Sequence, residues 1–203
     1  MPKRTIVIGA SSGGLEVLRV LMAELPRNFA APILIVLHSS PNSPSILGEI
    51  LQRSSHLPVV TPRDGERIEK GSVYVAPPDR HMLVEPGIIR LTRGPKENGF
   101  RPAVDPLFRS AAQVYGPATI GVILTGGLDD GAAGLWAVKQ LGGTTIVQDP
   151  EQASAPSMPR TALQQFEVDY VLRVDKIAAQ LVRLVHETGA STGHLEVPED
   201  MAI

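Results

Sequence analysis

The stretch that decides the fold is residues 5–18, which read TIVIGASSGGLEVL. An apolar run ends at Gly9, a loop of glycines and serines follows, and a helix-like stretch then begins. The same change from an apolar run to a helix-like stretch recurs along the chain. Runs of Val, Ile and Leu without polar alternation are typical of strands buried on both faces, as in a parallel sheet covered by helices.

This recurring pattern predicts an α/β fold. We expect a three-layer, doubly wound, mostly parallel sheet of the Rossmann-like kind, with a short antiparallel hairpin excursion around residues 72–93. The predicted strands are residues 5–9, 32–37, 72–77, 81–84, 88–93, 118–124, 144–148 and 169–174. The predicted helices are residues 12–25, 41–55, 102–115, 131–141, 159–166 and 176–186. Residues 1–188 are expected to form a single domain, followed by a flexible C-terminal tail at residues 189–203.

Composition excludes several classes of function. The 203-residue chain has no cysteine, which excludes disulfides, thiolate catalysis and cysteine-bound metals. Its net charge of −2 gives no electrostatic reason to expect a nucleic acid partner. No apolar run approaches the roughly 20 residues that span a bilayer, so we expect no membrane insertion and a cytoplasmic location.

The loop Gly9–Gly14 has three interpretations. As a phosphate-binding turn, it resembles the glycine-rich loop of NAD(P)-binding short-chain dehydrogenases. That family also needs a tyrosine followed four residues later by a lysine, and none of the three tyrosines here is followed in that way. As a purely structural turn, the loop would need Ser11 or Ser12 only as a helix cap.

The third interpretation makes Ser11 a nucleophile. Residues 9–13 fit the pattern G-x-S-x-G between a strand and a helix, which exposes a serine hydroxyl beside N–H groups that stabilise an oxyanion. Such a serine needs a histidine base, and the base needs an orienting carboxylate. His38 directly follows a predicted strand, and Asp129 and Asp130 lie in the loop after another. The sequence therefore predicts a Ser-His-Asp triad, with either aspartate as its third member.

Several motifs in order along the chain resemble the catalytic domain of the chemotaxis protein-glutamate methylesterase, CheB. The resemblance covers residues 4–187 and lies in the motifs IGASSGGLEVL, VLHSS, DGERIEKGSVYVAPPDRHM, RPAVDPLF, GVILTGGLDDGAAG and PSMPRTAL. It implies that Ser11 is the nucleophile and His38 the base. Because the family's catalytic aspartate immediately precedes Gly-Ala-Ala-Gly, the resemblance selects Asp130 over Asp129.

The resemblance also implies a reaction and a partner. The family hydrolyses γ-methyl glutamyl esters on the cytoplasmic helical bundles of methylated chemoreceptors, which releases methanol, and many members deamidate receptor glutamines. The backbone N–H groups of Ser12 and Gly127 would form the oxyanion hole. No metal and no cofactor is needed for this chemistry.

Two features depart from the family's pattern. The aspartate loop of the family usually reads T-G-M-G-x-D-G, whereas residues 125–131 here read TGGLDDG. Gly127 therefore replaces the usual methionine, and Leu128 replaces the glycine after it. The family also commonly carries an N-terminal receiver domain, which is missing here. We expect control by a separate regulatory partner, constant activity, or a longer parent protein.

A few further residues are candidates for a substrate cleft. Arg101 and Asp105 stand four residues apart at a predicted helix start, where they would form an ion pair or leave Arg101 free to meet an acidic receptor surface. His81, Met158 and Arg160 are the other candidates for this cleft, and Met158 equally suits the core.

The residues support three classes of function. The first is a serine-type ester hydrolase that acts on a protein side chain. The second is a catalytically weak or inactive binding or regulatory module of the same fold, which the change at Gly127 and Leu128 would favour. The third is an NAD(P)-binding short-chain dehydrogenase.

Overall fold

The computed structural model describes residues 4–187 of the chain. The strands are β1 Thr5–Ala10, β2 Ile33–Leu37, β3 Val59–Val60, β4 Val73–Val75, β5 His81–Glu85, β6 Ile88–Thr92, β7 Thr119–Ile123, β8 Thr144–Gln148 and β9 Tyr170–Leu172. The helices are α1 Gly14–Glu24, α2 Leu47–Gln52, α3 Val104–Tyr115, α4 Ala132–Gln140, α5 Ser157–Gln165 and α6 Val174–His186. The predicted tail, residues 189–203, lies outside the described residues.

Seven strands form one parallel sheet in the order β3-β4-β2-β1-β7-β8-β9. The chain starts in the middle at β1, builds the sheet outward through β2 and β4, and then returns to the other side of β1 with β7. The direction of winding therefore reverses between β1 and β7. Crevices at such reversals, beyond the carboxyl ends of the strands, are where open α/β sheets bind ligands.

Two apolar cores cover the two faces of this sheet. On one face, Ile6 and Ile8 of β1 join the core formed with α1 and α6. On the other face, Val7 joins a core formed with α3, α4, α5 and the antiparallel β5–β6 hairpin. Successive residues of a strand point to opposite faces, so a strand buried on both sides is apolar throughout. The predicted three-layer, mostly parallel α/β fold with a small antiparallel hairpin is confirmed.

Several predicted boundaries are wrong. The helix expected at residues 41–55 is limited to α2, because prolines at positions 41 and 44 delay its start. The strand expected within the antiparallel excursion at residues 72–77 is β4, which pairs in parallel with β2. Among the strands of residues 4–187, only β5 and β6 lie outside the main sheet. The two-residue strand β3 at the edge of this sheet has no distinct sequence signal.

Helices α3 and α4 pack closely next to the aspartate loop, residues 125–131. A Cβ atom at Gly134 of α4 would stand 2.7 Å from Cβ of Phe108 and 3.0 Å from Cα of Asp105, both on α3. Only a glycine lets the two helices approach this closely. Because α4 begins just after Asp130, this contact fixes the start of α3 against the aspartate loop.

Among residues 4–187, no helix has the length and apolar character needed to cross a membrane.

We expect Gly134→Ala to lower the free energy of unfolding by about 1–2 kcal/mol. Alanine favours a helix over glycine by about 1 kcal/mol, but overpacking of this kind costs about 1–3 kcal/mol and acts against backbone here. The measurement is urea unfolding, with Gly127→Ala as the matched control, since a Cβ atom at Gly127 meets nothing within 4 Å. An unfolding free energy of Gly134→Ala equal to that of the wild type would contradict this account of the packing.

Candidate active site

Three polar side chains meet where the winding of the sheet reverses. Ser11 directly follows β1, His38 directly follows β2, and Asp130 lies in the loop after β7. These strands are neighbours, with β1 between β2 and β7, so their carboxyl ends bring the three loops together. Backbone hydrogen bonds tie the loops to one another, from the His38 N–H to the Ala10 carbonyl and from the Ser11 N–H to the Thr125 carbonyl.

The three side chains form a continuous hydrogen-bonded chain. Nδ1 of His38 lies 3.0 Å from Oγ of Ser11, and Nε2 of His38 lies 2.6 Å from Oδ2 of Asp130. The side chain of His38 is only 4% exposed and that of Asp130 is fully buried. A carboxylate can only accept a hydrogen bond, so Nε2 carries the proton and the lone pair of Nδ1 faces the Ser11 hydroxyl.

The roles of the two ring nitrogens are the reverse of those in the familiar serine protease triad. There, Nε2 faces the serine and Nδ1 donates to the aspartate. Here, Nδ1 faces Ser11 and Nε2 donates to Asp130. The chemistry requires one basic nitrogen and one protonated nitrogen, and either order supplies both.

The capping interpretation of the serine loop does not fit the structure. Helix α1 begins at Gly14, its N-cap is Gly13, and no side chain in the described part of the chain caps it. The hydroxyl of Ser11 lies against His38 instead. The glycines of the loops permit close approach, because a Cβ atom at Gly126 would lie 2.8 Å from Cβ of Ser11 and 2.0 Å from the sulfur of Met158.

The carboxylate of Asp130 sits at the N-terminus of α3. Its Oδ2 accepts the N–H of Val104 at 2.6 Å, and its Oδ1 accepts the N–H of Asp105 at 3.2 Å and the side-chain amide of Asn98 at 2.8 Å. The first N–H groups of a helix lack partners within the helix and favour an anion. Burial raises the pKa of Asp130, but the hydrogen bonds from His38, Val104 and Asn98 outweigh it and bring the pKa below its usual value. Asp130 is therefore held as the anion that His38 needs.

A second buried carboxylate lies next to Asp130. Asp105 accepts the backbone N–H of Gly134 at 2.6 Å and the amide of Asn98 at 2.8 Å. Burial raises the pKa of Asp105, and the charge of Asp130 raises it further. The predicted ion pair of Asp105 with Arg101 is wrong, because Arg101 instead binds Asp79 and the Gly94 carbonyl.

The backbone N–H groups of Ser12 and Gly127, the two residues that the resemblance suggests for an oxyanion hole, donate to no protein acceptor within residues 4–187. The loop that carries Gly127 holds Leu128 at φ 65°, in the left-handed region, with 62% of its surface exposed. Leucine strains this conformation, whereas Gly127 has open space where a side chain would fit. Glycine would therefore suit position 128 better than leucine does, whereas position 127, which carries glycine, has room for a side chain.

A cleft of about 380 Å³ opens over Ser11 and His38. Its other lining residues are Ser39, Ser40, Pro41, Lys96, Gly99, Phe100 and Arg101. The ring of Phe100 stacks on the imidazole of His38, with centroids 3.6 Å apart and planes inclined by 10°. The cleft is thus apolar over the histidine and has cationic side chains at its rim.

Of the four candidate cleft residues, the structure brings only Arg101 to the cleft. His81 is buried, donates from Nε2 to the Pro95 carbonyl and accepts the Ala103 N–H at Nδ1, so its ring is a structural link. Met158 is fully buried in the core beneath Gly126. Arg160 is paired with Glu151 on the surface.

Asn98 contacts Asp130 and Phe100 contacts His38, and neither residue is predicted from the sequence. The dipeptide Asn98-Gly99 is a strong turn signal that could have marked this segment. Nothing in the sequence reveals that the turn folds over the histidine. Within the described part of the chain, no group of acidic or histidine side chains is arranged to hold a metal ion.

A serine, a histidine and a buried aspartate joined by hydrogen bonds beyond a parallel sheet are an arrangement typical of serine hydrolases built on an α/β fold. Comparison with known protein families identifies one family within this class. Residues 6–181 match the family described as CheB methylesterase. The chain belongs to this family and is an ester hydrolase.

Individual relatives agree with the family. A Leptospira interrogans protein, provisionally named protein-glutamate methylesterase/protein-glutamine glutaminase, is 40% identical over 185 residues, which are 91% of this chain and 96% of that protein. The protein-glutamate methylesterase/protein-glutamine glutaminase of Thermotoga maritima is 39% identical over 186 residues, which are 90% of this chain and 54% of that protein. The chain therefore spans about half the length of this longer relative.

A solved structure shares the fold. The crystal structure of the Thermotoga maritima CheB methylesterase catalytic domain superposes with a TM-score of 0.85 at 39% sequence identity. The match covers 89% of this chain and 98% of that domain.

We expect Leu128→Gly to raise the free energy of unfolding by about 0.5–1 kcal/mol. The substitution relieves a left-handed conformation that costs a side chain about 1–2 kcal/mol, and the extra freedom of glycine in the unfolded chain removes part of this gain. Leu141→Gly is the matched control, because Leu141 is similarly exposed but has φ −91° and should lose stability on substitution. A loss of stability in both variants on urea unfolding would refute the strain at position 128.

Asp79 binds Arg101, one of the residues that line the cleft. Hydrogen bonds from Arg93 and Arg101 lower the pKa of Asp79 to about 2. A lowered pKa in the folded state means that the charged pair stabilises the fold above about pH 4 and loses its effect as the pH falls toward 2. Asp79→Asn should therefore be less stable than the wild type at pH 7, by a margin that shrinks between pH 4 and pH 2.

Thermal unfolding at pH 7, 4 and 2.5 measures this margin. Asp129→Asn is the control, because Asp129 is exposed and has no ion pair within residues 4–187. A margin for Asp79→Asn that is independent of pH would contradict the role of the ion pair.

Proposed function

We propose that this protein is a protein-glutamate methylesterase that hydrolyses γ-methyl glutamyl esters on chemoreceptors and releases methanol. The single observation that carries the proposal is the bonded chain Ser11–His38–Asp130 in a member of the CheB methylesterase family. The relatives' names supply the substrate class, and the geometry supplies groups able to perform the reaction.

In the first step, Oγ of Ser11 attacks the ester carbonyl carbon. Nδ1 of His38 takes the serine proton, and the charge of Asp130 stabilises the resulting imidazolium through Nε2. The carbonyl oxygen becomes an oxyanion, which accepts hydrogen bonds from the N–H groups of Ser12 and Gly127. A donor of this kind is typically worth about 3–4 kcal/mol in the transition state.

In the second step, the tetrahedral intermediate breaks its bond to the methoxy oxygen. The proton on Nδ1 of His38 passes to this oxygen, so methanol leaves and Ser11 carries the glutamyl acyl group. Water then attacks the acyl carbon while His38 takes its proton and returns one to Oγ of Ser11. The net reaction consumes one water and yields methanol, a glutamate carboxylate and a proton. With a glutamine substrate, ammonia would leave in place of methanol.

The cleft suits a side chain presented by a larger protein. Ser11 lines the cleft together with His38, so an extended glutamyl ester could reach Oγ from a helix lying across the rim. Lys96 at this rim has no ion pair within residues 4–187, whereas Arg101 is bound to Asp79. Lys96 is therefore the cation that we assign to acidic side chains around the ester, in place of Arg101.

The test is methanol release from methylated chemoreceptor membranes. Ser11→Ala should lower the rate by roughly 10³-fold or more, because the nucleophile is lost. Ser54→Ala is the control, since Ser54 lies between α2 and β3, at the amino ends of the strands, whereas Ser11 lies at their carboxyl ends. Release by the wild type and Ser54→Ala but not by Ser11→Ala is the expected result.

Other outcomes separate the alternatives. Equal release by the wild type and Ser11→Ala would refute the role of Ser11. No release by the wild type, together with labelling of Ser11 by a fluorophosphonate, would indicate a working triad with another substrate. No release and no labelling would favour the non-catalytic binding module.

A further inference from the structure

A tight turn lies over the His38–Asp130 pair and is not explained by the reaction steps above. Residues Glu97–Phe100 are closed by two backbone hydrogen bonds, from the Phe100 N–H to the Glu97 carbonyl at 2.8 Å and from the Glu97 N–H to the Phe100 carbonyl at 3.1 Å. The central residues, Asn98 and Gly99, have φ angles of 51° and 84°. Two central residues with positive φ define a type I′ turn, which Asn-Gly favours strongly.

The turn touches both partners of the pair from one side. The ring of Phe100 stacks on the imidazole of His38 at 3.6 Å between centroids. Nδ2 of Asn98 donates to Oδ1 of Asp130 at 2.8 Å. One short segment thus contacts the base through an aromatic face and the orienting carboxylate through an amide.

The same turn is anchored to α3. Glu97 pairs with Arg109 at 2.5 Å, and Nδ2 of Asn98 also donates to Asp105 at 2.8 Å. Helix α3 in turn donates its first backbone N–H groups to Asp130. The turn, the helix start and the carboxylate therefore form one closed network of hydrogen bonds.

The side chain of Asn98 does more than form a turn. A glycine would satisfy the positive φ equally well, but it has no donor. The amide of asparagine has two N–H groups, and here one serves each of two buried carboxylates. Without it, Asp105 and Asp130 would each lose a donor in a site with little access to water.

We propose that the Glu97–Phe100 turn is a clamp that orients His38 and Asp130 toward Ser11, with Asn98 as its principal positioning residue. The inference rests on the proposed hydrolytic function. Asn98 fixes the carboxylate in the plane that Nε2 of His38 requires. Phe100 limits rotation of the imidazole and offers its π-face to the imidazolium that forms during the reaction.

The test is Asn98→Gly, which keeps a residue suited to the turn and removes both donors. With a small chromogenic ester such as p-nitrophenyl acetate, kcat should fall about tenfold or more while KM stays within about twofold, because alignment is lost and binding is not. Asn28→Gly is the matched control. Asn28 is exposed in the loop before β2, at the amino ends of the strands, whereas Asn98 lies near their carboxyl ends. The Asn28 variant should retain wild-type kcat.

A second readout distinguishes alignment from general loosening. The titratable groups that face Asp130 are His38 and Asp105. The charge of Arg109 acts on Asp105, and Glu97 is paired with Arg109. With one donor fewer, the His38–Asp130 pair should hold its proton more tightly, so the acid limb of the kcat/KM profile moves to higher pH in Asn98→Gly. A purely structural defect would lower activity without moving this limb.

Phe100→Leu supplies an independent variant, since it leaves every hydrogen bond of the turn in place. Its rate of labelling by a fluorophosphonate should fall about threefold or more, which remains measurable even if Asn98→Gly does not fold. Labelling of Asn98→Gly and Phe100→Leu at the wild-type rate would overturn the clamp alone. Absence of both labelling and ester hydrolysis in the wild type would overturn the proposed function, and the clamp with it.

Discussion

A buried, charged carboxylate needs hydrogen-bond donors around it, and the arrangement of the site depends on supplying them to Asp130. It is fully buried, yet its pKa lies below the usual value because His38, the start of α3 and Asn98 all donate to it. A buried charge without such partners would cost several kcal/mol or take up a proton. The position of α3, the close α3–α4 packing at Gly134 and the turn over His38 all serve to supply these donors.

The topology of the sheet brings the three residues of the site together. Because the winding reverses between β1 and β7, the loops after β1, β2 and β7 open into one crevice. Each loop then needs to contribute only one side chain, at the point where its strand ends. A rigid parallel sheet brings together three residues that are far apart in sequence, and contacts from other loops then orient their side chains.

Much of this arrangement is predictable from sequence, for identifiable reasons. Apolar runs that end at small or polar residues indicate parallel strands and their active edge, so Ser11, His38 and the pair Asp129 and Asp130 can be singled out as neighbours. The choice of Asp130 over Asp129 comes from the family resemblance. The hydrogen-bond partner of each polar side chain cannot be predicted from the sequence in the same way. Arg101 takes Asp79 rather than Asp105, and His81 turns inward to two backbone groups, because those contacts depend on the hairpin's packing. Asn98 contacts Asp130 across 32 residues of sequence, which no local pattern reveals.

The reversed ring of His38 has a consequence for comparing enzymes. Either nitrogen of the histidine ring can accept or donate a proton, so a fold is free to present the ring by either edge. Which edge it presents depends on whether the backbone of the histidine lies on the serine side or the carboxylate side of the ring. Here that backbone continues directly from β2, alongside the strand that leads to Ser11, so the edge nearest to Cβ faces the serine. Two sites can therefore share the order serine, histidine, aspartate and still use opposite nitrogens of the ring.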